Sequence, residues 1–337
     1  MNGRDINQDH PGRRALLQAL ALLGLSGTAA RAQAPGGAAA TVPEAATLLV
    51  PGPEDGLHAR MARQAAASFA RGLMEAAALR VVPVGGADGI TAANRFAAAI
   101  PADGRALLVL PGAAMMALLV GDSRARFEPR HWPALCGALR PAVLAARRPM
   151  TGPAAPLRLA LPGPGSAEVA ALLALDLIGR GAEPVFTAEP ERAVATGAAD
   201  ALVLVGADTL QLAARGLHPW FAFDATGPRD PAPAAVPLLA DLIPDPPRAD
   251  LMAALRAAGA ALRTDAVVVL PSLTSADSVA LWRGAARGWA EAPPDGVAVR
   301  RLPAGEAAGL LAVLCAAPSA AVAYREWLYR RVKWRAA

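Results

Sequence analysis

Short, mostly apolar runs that stop at proline or glycine recur through this chain, and they limit the folds open to it. Leu48, Leu49 and Val50 end at Pro51, Leu79–Val84 at Gly85-Gly86, Ala106–Leu110 at Pro111-Gly112, and Leu157–Leu161 at Pro162-Gly163. Runs of this length read as strands, and those without a polar residue as strands covered on both faces. After each of them the spacing turns helical. Met61, Ala65, Phe69 and Leu73 follow the first, and helices are expected over Ile90–Ile100, over Ala113–Val120 and from the Gly163–Ser166 loop to about Ile178. Strands alternating with helices of these lengths give an α/β fold with mostly parallel sheets. In such sheets ligands bind beyond the carboxyl ends of the strands, where helix N-termini present free amides and the positive end of a dipole.

The second half continues the pattern. Val185–Thr187 reads as a strand, Asp200 closes a turn before another, and a proline-rich loop spans Pro228–Pro247. A helix from Asp250 to about Leu262 leads to a buried strand at Ala266–Leu270, and Thr274, Ser275 and Asp277 supply capping groups for a helix reaching Trp289. The last helix, Ala320–Arg335, sets Tyr324, Trp327, Leu328 and Arg331 three and four residues apart. It reads as an amphipathic helix docked on the body with a solvated basic face.

At 337 residues the chain is long enough for two domains with real cores. Its net charge of +5 suggests an acidic partner until the charge is located: residues 1–32 carry +2 of it and Arg325–Arg335 carries +4, so the rest is near neutral. Only one lysine, Lys333, stands against 32 arginines, which reads as nucleotide bias and makes an isolated arginine weak ground for anion binding. With aromatics at 4% a stacking surface is hard to assemble, and nucleic-acid binding loses its support.

The N-terminus reads as an export signal over residues 1–32, followed by a linker over 33–45. Ala15–Leu25 is an apolar run about half as long as a bilayer span requires, and Ala30-Arg31-Ala32 supplies small residues for cleavage before Gln33. Arg13-Arg14 ahead of the run fits a twin-arginine signal or an ordinary secretory one. In an oxidising compartment Cys136 and Cys315 could pair, although their apolar neighbours fit two buried thiols better.

Several phrases resemble the substrate-binding proteins of tripartite tricarboxylate transporters, the Bug or TctC type of periplasmic receptor. Val50-Pro51 and Ala62-Arg63 match the two ends of that family's first loop and helix, with Gly56 on its second glycine. The centre departs, since Gly52 replaces an aromatic residue, Asp55 a glycine and Ala59 an aspartate. AIPADGRALLVL at Ala99–Leu110, WPALCGAL at Trp132–Leu139, the Gly163–Ser166 loop and Ala195–Phe223 match further family phrases. Glu168 and Val169 stand where the family has serine and histidine, and the helix that usually precedes Leu157 is missing between Pro149 and Pro156.

The resemblance implies a two-domain, type II periplasmic-binding-protein fold, with domain 1 over 46–138 and 266–337 and domain 2 over 139–265. It implies a monomeric periplasmic receptor that captures a small organic solute, by family expectation a carboxylate, and delivers it to permease subunits in the membrane. The ligand loops it indicates are Pro53, Glu54, Asp55 and Gly56; Gly112, Ala113 and Ala114; and Gly163, Pro164, Gly165 and Ser166. Glu54 and Asp55 oppose a carboxylate at about 4 kcal/mol each for a contact near 4 Å, so either they turn away or the solute is neutral, zwitterionic or cationic. His58 reads as a surface residue or a pH-sensitive contact. Asp200, which matches a family aspartate, reads as a turn residue.

Other chemistry finds no support. His58, His131 and His218 are not spaced with a second metal ligand, and there is no nucleophile elbow and no phosphate-binding loop with its lysine. Gly163 and Gly165 match two glycines of a dinucleotide fingerprint, but Glu168 occupies the third position and would repel a pyrophosphate. No cofactor, metal or catalytic residue is therefore expected. The alternatives that remain are a degenerate receptor acting as a protein-interaction or sensory module, and an exported α/β enzyme.

Overall fold

A computed structural model describes residues 43–73, 77–150, 156–207, 209–223, 236–243, 248–292 and 299–336. The proposed export signal, the linker up to residue 42 and most of the proline-rich loop lie outside the described residues. The first lobe opens with β1 (Ala45–Pro51), α1 (Leu57–Gly72), β2 (Ala78–Val84), α2 (Ile90–Ala99), β3 (Ala106–Leu110), α3 (Gly112–Val120) and β4 (Ala134–Leu139). The chain then enters a second sheet through β5 (Ala142–Ala146), β6 (Leu157–Leu161), α4 (Ala170–Leu177), β7 (Ala182–Phe186), α5 (Pro190–Ala195), β8 (Ala201–Val205), α6 (Thr209–Ala214), β9 (His218–Ala222) and α7 (Leu239–Leu242). It returns by α8 (Ala249–Arg263) and β10 (Thr264–Val269), and ends in α9 (Ala276–Glu291), β11 (Arg300–Pro303), α10 (Ala304–Leu314) and α11 (Pro318–Val332).

The two sheets share one plan. The first runs β11-β4-β10-β3-β1-β2 and the second β7-β6-β8-β5-β9. In each, three adjacent parallel strands are followed by an antiparallel one, β10 in the first sheet and β5 in the second, and the first sheet has a further antiparallel strand, β11, at its edge. β10 and β5 are the strands that have just arrived from the other lobe. The fold is a two-domain α/β architecture in which each lobe lends a strand position to the other. The crossings are tied together, because the Arg140 amide donates to the Arg263 carbonyl at 2.8 Å and Arg263 Nε donates back to the Arg140 carbonyl at 3.3 Å.

Alanine sets how closely the helices approach. On α1 the buried face is Ala59, Ala62, Ala65, Ala66 and Phe69, and it lies on α9, where Phe69 meets Trp282 at 6.4 Å between ring centroids. At Gly72 an added Cβ would come within 2.6 Å of the Ala285 carbonyl oxygen, so the end of α1 tolerates no side chain. Beneath the cleft α8 packs between α3, α10 and α11 on one side and α4 on the other. One continuous cluster of buried side chains therefore runs from Met115 through Leu255 to Leu173.

Some expectations need correction. The terminal helix ends at Val332 rather than Arg335, because Lys333 takes a left-handed conformation at φ 56° and its amide closes on the Tyr329 carbonyl at 3.0 Å. Its basic face is not all solvated, since Arg325 and Arg331 bond to both lobes. Of the three residues proposed to cap α9, Ser275 does so by accepting from the Ser278 amide, whereas the Thr274 hydroxyl is buried with no partner among the described residues. The short β11 and α10 carried no readable signal of their own. Cys136 and Cys315 are free thiols; burial raises both, that of Cys315 to about 11. No single helix among the described residues is long and apolar enough to cross a membrane.

Candidate functional site

A cleft of about 760 Å³ opens where the loops after β1, β2, β3 and β6 face one another across the crossing strands. Its walls come from helix starts. Leu57 and His58 begin α1, Asp88 and Ile90 flank the start of α2, Ala113 lies in the first turn of α3, and Gly165–Glu168 lead through a short 3-10 turn into α4. The α2 entry needs its glycine, because Gly89 sits at φ 75° and an added Cβ would lie 2.4 Å from Pro111 Cγ. The amide of Ile90 there donates to Asp88 Oδ1 at 3.2 Å.

The floor is polar. Arg140, from the link between β4 and β5, donates from Nε to Asp265 Oδ1 at 2.5 Å. Asp265 lies on the returning strand β10 with its side chain only 7% exposed, while that of Arg140 is 31% exposed and opens on the cleft. This Nε bond is the polar contact of the guanidinium among the described residues, so its two terminal nitrogens remain available to a ligand. Burial raises Asp265 above the ordinary carboxyl value despite the opposing pull of Arg140 and His58. His58 is held below the ordinary imidazole value of 6.5, chiefly by burial, against the pull of the Asp265 charge and backbone.

The remaining charges on the walls are mostly acidic. Arg124 is engaged by Asp88 at 3.2 Å and by Asp122 at 2.6 Å, and its hydrogen bonds hold Asp122 below the usual carboxyl value. Glu168 has no ion-pair partner among the described residues. No group of three or more metal-ligating side chains occurs among them either.

No family model matches the sequence, and no curated protein matches it. Solved structures do. A TctC solute binding protein from Polaromonas, solved with no ligand, superposes at a TM-score of 0.62 over 86% of this chain and 99% of its own, at 16% identity. The chain has the TctC fold. An R. palustris protein solved with adipate has a TM-score of 0.52, with 88% of this chain and 100% of its own covered, again at 16% identity.

Within the TctC fold the expected loop residues separate into two groups. Ala113, Gly165 and Ser166 line the cleft, whereas Pro53, Glu54, Asp55, Gly56, Gly112, Ala114, Gly163 and Pro164 do not. The first loop turns in on itself, with the Gly56 amide on the Pro53 carbonyl at 3.0 Å, and Arg63 of α1 takes the Glu54 carbonyl at 3.0 Å. Glu54 faces a separate groove with Arg63 and Leu79, so its charge stands away from the cleft. Gly112 is buried under α8, where an added Cβ would lie 2.0 Å from the Ala261 carbonyl oxygen. Asp200 joins β6 to β8 by accepting from Arg158 at 2.7 Å, in keeping with a structural role.

Sequence reasoning missed Arg140, Asp265 and Trp334, all of which line the cleft. Only the unusual Arg263-Thr264-Asp265 triplet between an apolar helix and an apolar strand could have marked the floor. His58 also yields a prediction. Its folded value is depressed, so the neutral form is favoured on folding, and that contribution is full above 6.5 and lost as pH falls below it. Urea unfolding at a series of pH values is expected to show stability declining just below 6.5, and His58→Gln is expected to flatten that part of the curve.

Proposed function

We propose that this chain is a solute-binding receptor that holds a small organic acid in the cleft, with the ligand carboxylate on Arg140. The observation that carries this reading is the Arg140–Asp265 pair: a buried carboxylate orients a guanidinium whose free nitrogens face a cavity ringed by helix starts from both lobes. The fold supports a receptor rather than an enzyme, and the adipate in the R. palustris structure supports a carboxylate. The unpaired Glu168 disfavours a second carboxylate on the opposite wall. At an effective dielectric near 20, two like charges about 4 Å apart repel by about 4 kcal/mol.

Around this site we place the export signal of residues 1–32, a periplasmic location, the two lobes at 46–138 with 266–337 and at 139–265, and delivery of the solute by a monomer to a tripartite tricarboxylate-type permease. Backbone amides of the 165–168 turn and of the α3 start complete the ligand shell.

The test is a thermal-shift screen of the chain without residues 1–32 against mono-, di- and tricarboxylates, amino acids and amides. A ligand that binds only the folded state raises the melting point. A rise with a carboxylate is expected, and Arg140→Lys, which keeps the charge beside Asp265 but loses the planar fork, should weaken binding by roughly 10- to 100-fold. Silence across every acid, or equal affinity in the lysine variant, overturns the carboxylate assignment.

A further inference from the structure

Residues that follow α11 are part of the cleft. The left-handed conformation at Lys333 ends α11, and Trp334 and Ala336 beyond it join the lining. The indole rests on the second ligand loop, so that an added Cβ on Gly165 would lie 2.8 Å from Trp334 Cη2. The next residue, Ser166, has its hydroxyl oxygen buried with no hydrogen-bond partner among the described residues, an arrangement that costs stability.

The helix behind this tail is held on both lobes. On the first, Arg325 donates from Nε to the Leu119 carbonyl at 3.0 Å and from Nη2 to the Leu118 carbonyl at 2.8 Å. On the second, Trp327 donates to Asp176 at 2.9 Å, and Arg331 donates to Asp176 at 3.1 Å and to the Ala182 carbonyl. The tail thus leaves a fixed support at the mouth of the cleft, and only residues beyond Val332 need move to clear it.

We infer that Trp334 is a ligand-site residue: its indole lies on Gly165 beside Ser166 and leaves when a solute group bonds to Ser166. The inference rests on the receptor reading for its ligand, but the position of the tail can be tested without one. Ser166→Cys in a Cys315→Ser background places a reporter thiol in the loop, since Cys136 is wholly buried. Alkylation by iodoacetamide is compared among this protein, the same protein with Trp334→Ala, and the same protein ending at Val332, each shown to keep its fold by circular dichroism.

Both tail variants are expected to label at least about tenfold faster, the factor for a subsite open about a tenth of the time. A carboxylate found by the thermal screen is expected to bind Trp334→Ala about tenfold more tightly by the same arithmetic. Labelling that changes less than twofold in both variants, or affinity that is unchanged or weaker, overturns the inference. If no solute binds any form while labelling accelerates, the tail seat stands and the receptor reading falls.

Discussion

Arg140→Met is expected to lower the stability of the folded chain by about 3 to 5 kcal/mol at neutral pH, the usual cost of leaving a buried charge without its partner. The asymmetry of the pair gives the reason. Arg140 is 31% exposed and could be hydrated through the cleft if its partner were lost, whereas Asp265 at 7% could not. Asp265→Asn should therefore cost much less. Acid should rescue the methionine variant: a raised folded pKa means that the folded state binds the proton more tightly, so the penalty is full above that pKa and fades as pH falls toward 3.8. Adding Asp265→Leu should recover most of the loss at neutral pH, because an apolar pair needs no desolvation. Urea unfolding of the three variants at two pH values decides the matter. A loss that is the same at both, or that the double variant fails to relieve, would show that the carboxylate is not the stranded group.

Trp282→Ala should cost a similar amount through packing, about 3 to 5 kcal/mol. Trp282 is fully buried on α9, meets Phe69 of α1, and donates from Nε1 to the Gly104 carbonyl at 2.8 Å across the lower end of the first sheet. Truncation leaves a cavity between α1, α9 and the sheet, and also leaves the Gly104 carbonyl without its donor. Trp282→Phe keeps most of the volume and should cost clearly less. Because this site lies away from the cleft, thermal unfolding should show both losses while the affinity of any solute found by screening stays as in the parent protein. A shift in affinity would mean that lobe packing and the cleft are coupled.

The alternation of strands and helices was legible from residue order because each element carries its own signal. Leu48–Val50 and Ala106–Leu110 lie within β1 and β3, and the helical spacing of Met61, Ala65 and Phe69 lies within α1. Ala113, Gly165 and Ser166 were reachable for the same reason, since a loop that follows a strand in such a sheet faces the ligand side. Arg140 and Asp265 were not legible. They lie 125 residues apart, and neither belongs to a local motif. In a chain where arginine stands in for nearly every lysine, one more arginine carries no message until burial and a carboxylate single it out.

The first loop shows the same division at a finer scale. Its composition suggested two negative charges aimed at a ligand, and only the turn geometry, with carbonyls taken by Gly56 and Arg63, sends Glu54 elsewhere. Local order and periodicity determined the α/β class, the order of elements and the buried faces, because strand and helix formation depends on neighbours a few residues away. The partner of Arg140, the seat of Trp334 on Gly165 and the direction of each loop side chain were decided by tertiary structure alone. They depend on which segments, distant in the chain, the crossing strands and α11 bring within bonding distance, and no local spacing encodes that.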